Sequence, residues 1–418
     1  MEKLLINGKK ELFGKIKISG SKNSTLPILA ATILSEKVYL RNIPLVKDIY
    51  TMSELLKFIG LEVKIKKSEN SIEVQNRYQK IKTLAPYRLV KTMRAGVLVL
   101  GPLLAKYRKA KISLPGGCSI GSRPVDLHLF ALKKLGAKIK IKNGYIIADA
   151  KNGLKGSKIS FPSISVGATE NAILAAFLAR GKSVLKNCAI EPEILDLILF
   201  LNKLGGKIKV IGRTIKIEQT KKVKKNIYHS IIFDRIELGT YIIAAALIGK
   251  KIIFNNIDSQ LISCEIKTLK KMGVKFKITK NRIEVFKSKK IKKISISTKP
   301  YPGFPTDLQA QLMVLMTKAK GSSIIKENIF ENRFMHVPEL KRMGADIKIN
   351  KKSAIIKGPT KLTGAEVMAT DLRASVSLVL AGLVAENRTI INRIYHLDRG
   401  YEYLEKKLKN CKARIKRI

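Results

Sequence analysis

Six copies of one pattern run along this 418-residue chain, and that repetition limits its folds more than any other feature. The pattern is a helix rich in small apolar residues, opened by a polar or glycine turn. Its copies are GSKNSTLPILAATIL from Gly20, KTMRAGVLVLGPLLA from Lys91, VGATENAILAAFLA from Val166, DRIELGTYIIAAALIG from Asp234, PTDLQAQLMVLMTKA from Pro305 and TDLRASVSLVLAGLVA from Thr370. Each recurs after about 65 to 75 residues. Between them lies a second pattern, an amphipathic helix ending in Leu-Gly or Met-Gly, followed by two alternating strands. The helix-stop glycines Gly60, Gly136, Gly205, Gly273 and Gly344 repeat independently of the first pattern. Helices apolar nearly all round belong inside, and strands with one charged face, such as Val63-Lys64-Ile65-Lys66, belong outside. A solenoid is the alternative for any repeat, but its units run to only about 20 to 50 residues.

Grouped three and three, the copies predict an α/β chain of two similar domains, each with helices inside and sheets around them. The length agrees, since it exceeds a single core and suggests two domains of about 200 residues each. The expected N-terminal domain spans 22–230 and the expected C-terminal domain spans 1–21 with 231–418. The strand pair within Lys3 to Ser19 precedes the first helix, and we expect it to complete the C-terminal domain.

Composition narrows the function classes. Cys118, Cys188, Cys264 and Cys411 are far apart, with no CxxC or Cys/His spacing that would hold zinc, so no metal site is expected. That usage fits a reducing cytoplasm, and Met1-Glu2-Lys3 leads into a strand-like segment without a signal peptide's apolar run. The longest apolar windows, Ala95 to Ala105 and Ser375 to Ala385, fall short of the roughly 20 residues that span a bilayer, so no membrane partner is expected. A formal charge of +51 points on its face to nucleic acid. The lysines are spread along the whole chain, however, without a basic block interleaved with aromatics for base stacking. The excess charge agrees with a polyanionic small substrate.

The stretch Leu114 to His128, LPGGCSIGSRPVDLH, carries the chemical signal. Gly116, Gly117 and Gly121 allow a tight turn, Pro115 and Pro124 stiffen its ends, and Cys118 lies near the tip. A thiol becomes a reactive thiolate near neutral pH when a positive charge or aligned backbone N–H groups lower its pKa, and Arg123 can supply that charge. A buried structural cysteine would need neither the glycines nor the arginine.

That loop, together with SGSKN at Ser19, SVGATEN at Ser165, DRIELGT at Asp234, FPTDLQAQ at Phe304, FENRFMHVPEL at Phe330, ATDLRAS at Ala369 and YHLDRGYE at Tyr395, resembles the UDP-N-acetylglucosamine 1-carboxyvinyltransferase family. These are the enolpyruvyl transferases that begin peptidoglycan synthesis. The related shikimate-pathway branch shares the architecture but is not expected to have the PGGC loop. The resemblance runs from about Lys3 to the C-terminus. It implies a two-domain inside-out α/β barrel of six units, three per domain, with the active site in the cleft between the domains. It also implies a cytoplasmic enzyme acting on phosphoenolpyruvate and UDP-N-acetylglucosamine, with no cofactor, no nucleic acid and no obligate protein partner.

Residue by residue, the resemblance assigns Cys118 as proton donor, able to bond phosphoenolpyruvate and to be attacked by fosfomycin. It assigns Asp307 as the carboxylate at the sugar hydroxyl. Lys22, Arg123 and Arg399 match the cations that gather phosphoenolpyruvate, and Asn23 matches a group that hydrogen-bonds the substrates. Arg94, the run Arg123, Pro124, Val125, Asp126 and Leu127, and Ser165, Val166, Asp307 and Ile329 match nucleotide-sugar contacts. Lys47, Arg333, Asp371 and Arg373 match polar positions near the site. Taken alone, each charge would read as a surface group in so basic a chain, and Asp307 as a cap or first-turn residue of the fifth helix. Val166-Gly167 just before a helix favours an anion such as diphosphate.

One position departs. Where some relatives carry a lysine two residues before the SVGAT serine, this chain has Ser163, which leaves that nucleotide contact open. His128, His336 and His396 are expected to be structural. Gly116 to Ser122 spaces two glycines as a phosphate loop does, yet Ser122-Arg123 replaces the required Lys-Ser/Thr, so an ATPase is rejected. Two other readings predict different behaviour. A charge-driven nucleic-acid binder would lose binding steeply with salt and ignore Cys118, and an inactive structural relative would show damage in motifs that here are intact.

Overall fold

The computed structural model describes residues 2–77, 80–116, 125–288 and 290–418. Contacts divide the chain into two compact units, an N-terminal one within Gly20 to Ile232 and a C-terminal one formed by the segment up to Ser19 and Phe233–Ile418. The chain therefore changes unit at Ser19/Gly20 and at Ile232/Phe233, where the sequence reading put the changes after residues 21 and 230. The reason is local hydrogen bonding. Ser21 N donates to Ile232 O at 2.7 Å within one unit, and Asp234 N donates to Ser19 O at 2.8 Å within the other.

The six repeated helices are the cores. In the N-terminal unit they are Lys22–Ala31, Leu100–Tyr107 and Val166–Ala176. In the C-terminal unit they are Arg235–Ile248, Gln309–Met316 and Ser375–Val384. Every residue of the last two is buried, as an all-round apolar surface demands. Their starts differ. Ser21, Ser165 and Asp234 cap helices cleanly, each accepting a backbone N–H from the first turn. The second and fifth helices instead enter through 3-10 turns, Arg94–Val99 and Thr306–Leu308, where a continuous α-helix had been expected.

Among the described residues six sheets surround the cores, three to a unit, and all share one order. In the third repeat, for example, Lys158–Ser160 pairs in parallel with Lys182–Lys186, which pairs antiparallel with Thr214–Glu218, which pairs antiparallel with Lys207–Ile211. Alternation sets the faces: in Lys37–Arg41, Val38 and Leu40 are buried while Lys37 reaches Glu73 at 2.8 Å. The two N-terminal strands do not pair with each other. Leu4–Asn7 inserts between Arg388–Asn392 and Arg414–Arg417, whereas Leu12–Lys15 joins a different sheet beside Gly249–Asn255. Both sheets are in the C-terminal unit. Buried Glu237 then anchors the segment's end, accepting from Ser19 N at 2.7 Å and from Lys407 Nζ at 2.6 Å.

Each outer helix stops at a left-handed residue, because only φ near +90° lets the chain turn off the helix into the following strand. Gly60, Gly136, Gly205, Gly273 and Gly344 take that role with φ from 90° to 116°. A sixth stop, missed in the sequence, is Lys412 at φ 72° after the helix Leu404–Asn410. Its backbone bonds repeat those of the glycine copies, with Lys412 N on Lys409 O at 2.9 Å, as Gly273 N is on Lys270 O.

Candidate active site

In the N-terminal unit, Lys22 opens the first core helix and is 7% exposed. Its Nζ lies 3.2 Å from Asp48 Oδ2, in the first turn of the outer helix Lys47–Ile59. A buried ammonium needs such a counter-charge, and the pair fixes where the lysine points. Sequence reasoning named the neighbour, Lys47. The fold instead leaves Lys47 exposed and turns Asp48 inward. Asn23 follows at half-buried depth, and Pro27, lacking an N–H, supplies no helix hydrogen bond to the Asn23 carbonyl four residues back.

Arg94, half-buried, begins the 3-10 turn ahead of the second helix. His128 is bound through Nδ1 to Asn171 Nδ2 at 3.1 Å, while Asn171 Oδ1 accepts from Gly101 N at 2.7 Å. Burial, reinforced by the Arg94 charge, holds the His128 imidazole down to about 4, so it is neutral near pH 7. A Cβ at Gly167 would stand 3.0 Å from the His128 ring, so a larger residue there would require the ring to shift by a few tenths of an ångström. This is a structural histidine, packed on the start of the third core helix. Ser165 caps that helix, its Oγ accepting from Ala168 N at 3.4 Å, and Val166 is the first helical residue rather than the residue before the helix. Val166, Ser163 and Asp126 are exposed, Leu127 is half-buried and Val125 is buried. Cys118, Arg123 and Pro124 lie outside the described residues.

The C-terminal unit gathers more of the named residues. Asp307, in the turn Thr306–Leu308, keeps 27% of its side chain exposed and receives Arg333 Nη2 on Oδ1 at 2.8 Å. Arg373 Nε approaches Oδ2 at 3.5 Å, and an Arg373 Nη2 also faces Asp234 at 3.8 Å. Both arginine side chains are only 3% exposed. Asp307 thus takes the first-turn place at the entry to the fifth helix that the sequence allows, with Pro305 rather than Asp307 at the N-cap, and its carboxylate faces the two guanidinium groups.

Asp371 Oδ1 accepts from Arg373 N and Ala374 N, both at 2.9 Å, which shapes the turn leading into the sixth helix. Arg399 is half-buried at the end of the turn Ile394–Arg399, close enough that its charge, after burial, helps depress His396. His336 is fully buried and held down to about 4, first by burial. Ile329 follows the strand Ala319–Lys326, and its N–H donates to Glu327 Oε1 at 2.8 Å.

Sequence reasoning missed Asp48 and Glu327. Asp48 had a usable signal in its place beside Lys47 at a helix start. Glu327 had none, since KENIF reads as the solvated end of a strand.

Among the described residues the free cysteines are Cys188, Cys264 and Cys411, and burial pushes all three thiols up, Cys188 to about 12 and Cys411 to about 11. None is poised as a thiolate. No group of His, Cys, Asp and Glu among the described residues could hold a metal ion, and no helix there is long and apolar enough to cross a membrane.

The chain matches the EPSP synthase (3-phosphoshikimate 1-carboxyvinyltransferase) family over residues 6–408. It is 59% identical to a UDP-N-acetylglucosamine 1-carboxyvinyltransferase of Pelagibacter ubique, and 52% identical to one of Rickettsia bellii, each over the whole of both chains. Among solved structures, the enolpyruvyl transferase NikO of Streptomyces tendae shares the fold with a TM-score of 0.89 at 22% identity, covering 100% of this chain and 98% of its own. The EPSP synthase of Acinetobacter baumannii follows at 0.78 and 17%, covering both chains in full. These neighbours establish the inside-out α/β fold that the repeats predicted. Identity above one half along the entire chain carries the narrower conclusion, that the chain belongs to the UDP-N-acetylglucosamine 1-carboxyvinyltransferases within the wider enolpyruvyl transferase family.

Proposed function

We propose that this chain transfers the enolpyruvyl group of phosphoenolpyruvate to the 3′-hydroxyl of UDP-N-acetylglucosamine and releases phosphate. The observation that carries this reading is the end-to-end identity with enzymes of that name. Addition joins the sugar oxygen to C2 of phosphoenolpyruvate while a proton reaches its methylene carbon. Elimination then breaks the C2–phosphate bond and returns that proton.

Asp307 is the acceptor for the hydroxyl proton. A carboxylate does that work best when fixed in direction, and Arg333 and Arg373 fix this one from two sides. Lys22, Arg123 and Arg399 gather the phosphate and carboxylate of phosphoenolpyruvate, with Asn23 hydrogen-bonding the adduct. Guanidinium forks suit planar anions, and Lys22 acts as a point charge. Cys118 delivers the methylene proton. Arg94, Pro124, Val125, Asp126, Leu127, Ser165, Val166 and Ile329 face the nucleotide sugar. Asp371 shapes the Arg373 turn, and Lys47 and Ser163 lie at the margin. The roles proposed route each proton and charge through a side chain and call for no metal or organic cofactor. The product is a peptidoglycan precursor, which places the enzyme in cell wall synthesis.

Phosphate release from phosphoenolpyruvate tests this directly. Release should require UDP-N-acetylglucosamine and should not occur with 3-phosphoshikimate as acceptor; no release with the nucleotide sugar would overturn the assignment. Fosfomycin should add its mass at Cys118 alone, since burial keeps Cys188, Cys264 and Cys411 protonated. An unlabelled Cys118 would remove it from the mechanism.

A further inference from the structure

Glu327 is 1% exposed, yet it has no direct part in the reaction as described. Its Oε1 accepts from Thr298 Oγ1 at 2.9 Å, from Ile329 N at 2.8 Å and from Phe330 N at 3.2 Å. Its Oε2 accepts from Thr306 Oγ1 at 2.9 Å. Among the described residues its partners are thus neutral donors, two hydroxyls and two backbone amides. Burying a carboxylate is costly, and a glutamate surrounded in this way is kept only where its hydrogen bonds are all needed.

The donors come from three separate segments. Thr298 follows the strand Ser295–Ser297, and its hydroxyl also accepts from Asn328 N at 2.9 Å. Ile329 and Phe330 belong to the loop proposed to meet the nucleotide sugar. Thr306 is the residue immediately before Asp307, in the same 3-10 turn. On the other side of that turn, Gln311 Nε2 donates to Asp307 O at 2.9 Å, and Arg333 spans Asp307 Oδ1 and, at 3.5 Å, Thr306 O. Gln311 and Arg333 hold Asp307 and the Thr306 carbonyl, so removing the Glu327 contact takes away the anchor of the Thr306 side chain alone.

We propose that Glu327 is a positioning residue, which fixes the Thr306–Asp307 turn and the Ile329 loop in one register so that carboxylate and nucleotide-sugar contacts are set together. This rests on the reading of Asp307 as the group at the sugar hydroxyl. The requirement is for acceptors. A carboxylate meets four donors at once, whereas a glutamine amide offers one oxygen and two N–H donors, so Glu327→Gln must either set an N–H against the loop amides or reverse the hydrogen bond at Thr306, whose hydroxyl would then accept.

Steady-state kinetics on the full chain test it, with kcat taken per folded molecule. Misplacement by about an ångström costs on the order of a hundredfold in rate, so Glu327→Gln should lower kcat by about 10- to 100-fold while leaving the KM for phosphoenolpyruvate unchanged. Thr306→Val, which severs one link only, should act in the same direction even if Glu327→Gln folds poorly, and Thr306→Ser should restore the parental kcat. In an Asp307→Asn background, Glu327→Gln should add little. A purely structural Glu327 would lower the Tm and leave kcat per folded molecule intact, and that result, or full additivity with Asp307→Asn, would overturn the proposal. Wild-type kcat in Asp307→Asn alone would sink the Asp307 reading and this proposal with it. A large loss there beside normal rates in Glu327→Gln and Thr306→Val would sink only the proposal.

Discussion

In the N-terminal unit a buried lysine, Lys22, is held by the carboxylate of Asp48; in the C-terminal unit a carboxylate, Asp307, is held by the buried guanidinium groups of Arg333 and Arg373. The same three-repeat scaffold thus presents a cation in one half and an anion in the other, each steadied by its opposite. The difference follows from the substrates proposed. Phosphoenolpyruvate brings phosphate and carboxylate charge that a cation must gather, whereas the sugar hydroxyl brings a proton that a carboxylate must accept. Two scaffolds of one design can therefore take complementary chemical parts, provided the groups that hold each ion differ.

Four measurements would break or sharpen that comparison. The largest effect should come from Asp307→Asn, which keeps the shape and removes the charge: positioned proton transfer contributes about 10²- to 10⁴-fold, so kcat should fall by that order with phosphoenolpyruvate KM little changed. Unaltered kcat would end the contrast. Lys22→Met should cost about 10- to 100-fold in kcat/KM for phosphoenolpyruvate, the scale of a hydrogen bond to a charged group. It also deprives buried Asp48 of a cation, so stability should drop, and adding Asp48→Asn should recover stability without recovering rate. Recovery of both would make Lys22 structural.

The third measurement sets one histidine of each unit against the other. His128 and His336 are both held down to about 4, chiefly by burial, against an unfolded value near 6.5. Between those values the unfolded chain binds protons that the folded chain does not. Stability should thus be full above about pH 6.5 and fall as the pH drops toward 4. His128→Gln should remove part of that slope and leave the His336 share, as denaturant titrations at several pH values would report. An unchanged slope would mean that His128 does not titrate as described.

The smallest effect concerns the helix stops. An L-residue in the left-handed region costs about 1–2 kcal/mol, so Gly136→Lys, with no atom within 4 Å of the new Cβ, should destabilise the N-terminal unit by about that much. Lys412→Gly should stabilise the C-terminal unit by about 0.5–1 kcal/mol, less because glycine loosens the unfolded chain. Thermal melts would show both signs, and a destabilised Lys412→Gly would mean that the Lys412 side chain contributes more by packing than its backbone costs.

Much of the scaffold was legible in the sequence because burial writes itself as composition: helices buried all round are apolar all round, and glycine marks a left-handed stop. Lys412 escaped because lysine can take that conformation at a cost, which leaves no letter to read. The 3-10 entries at Arg94 and Thr306 escaped because a helix and a tighter turn differ in hydrogen bonding rather than in residue type. At the site, motif residues such as Lys22 and Asp307 could be named in advance. Of the groups that hold them, Arg333 and Arg373 could be named too and Asp48 left a signal at its helix start, whereas Glu327 is distinguished from an ordinary surface acid only by what the tertiary fold packs around it.

The placement of Leu4–Asn7 between Arg388–Asn392 and Arg414–Arg417 has a consequence for how the protein is made. That strand leaves the ribosome before the whole N-terminal unit and finds its neighbours only after Arg388–Asn392 and Arg414–Arg417 have followed. The N-terminal unit, whose strands all lie between Lys37 and Ser230, can close while synthesis continues. The C-terminal unit must wait with an unpaired strand already exposed, so a pause or truncation late in translation would leave a finished N-terminal unit beside an open, aggregation-prone sheet. Chaperone demand should accordingly be concentrated in the C-terminal unit.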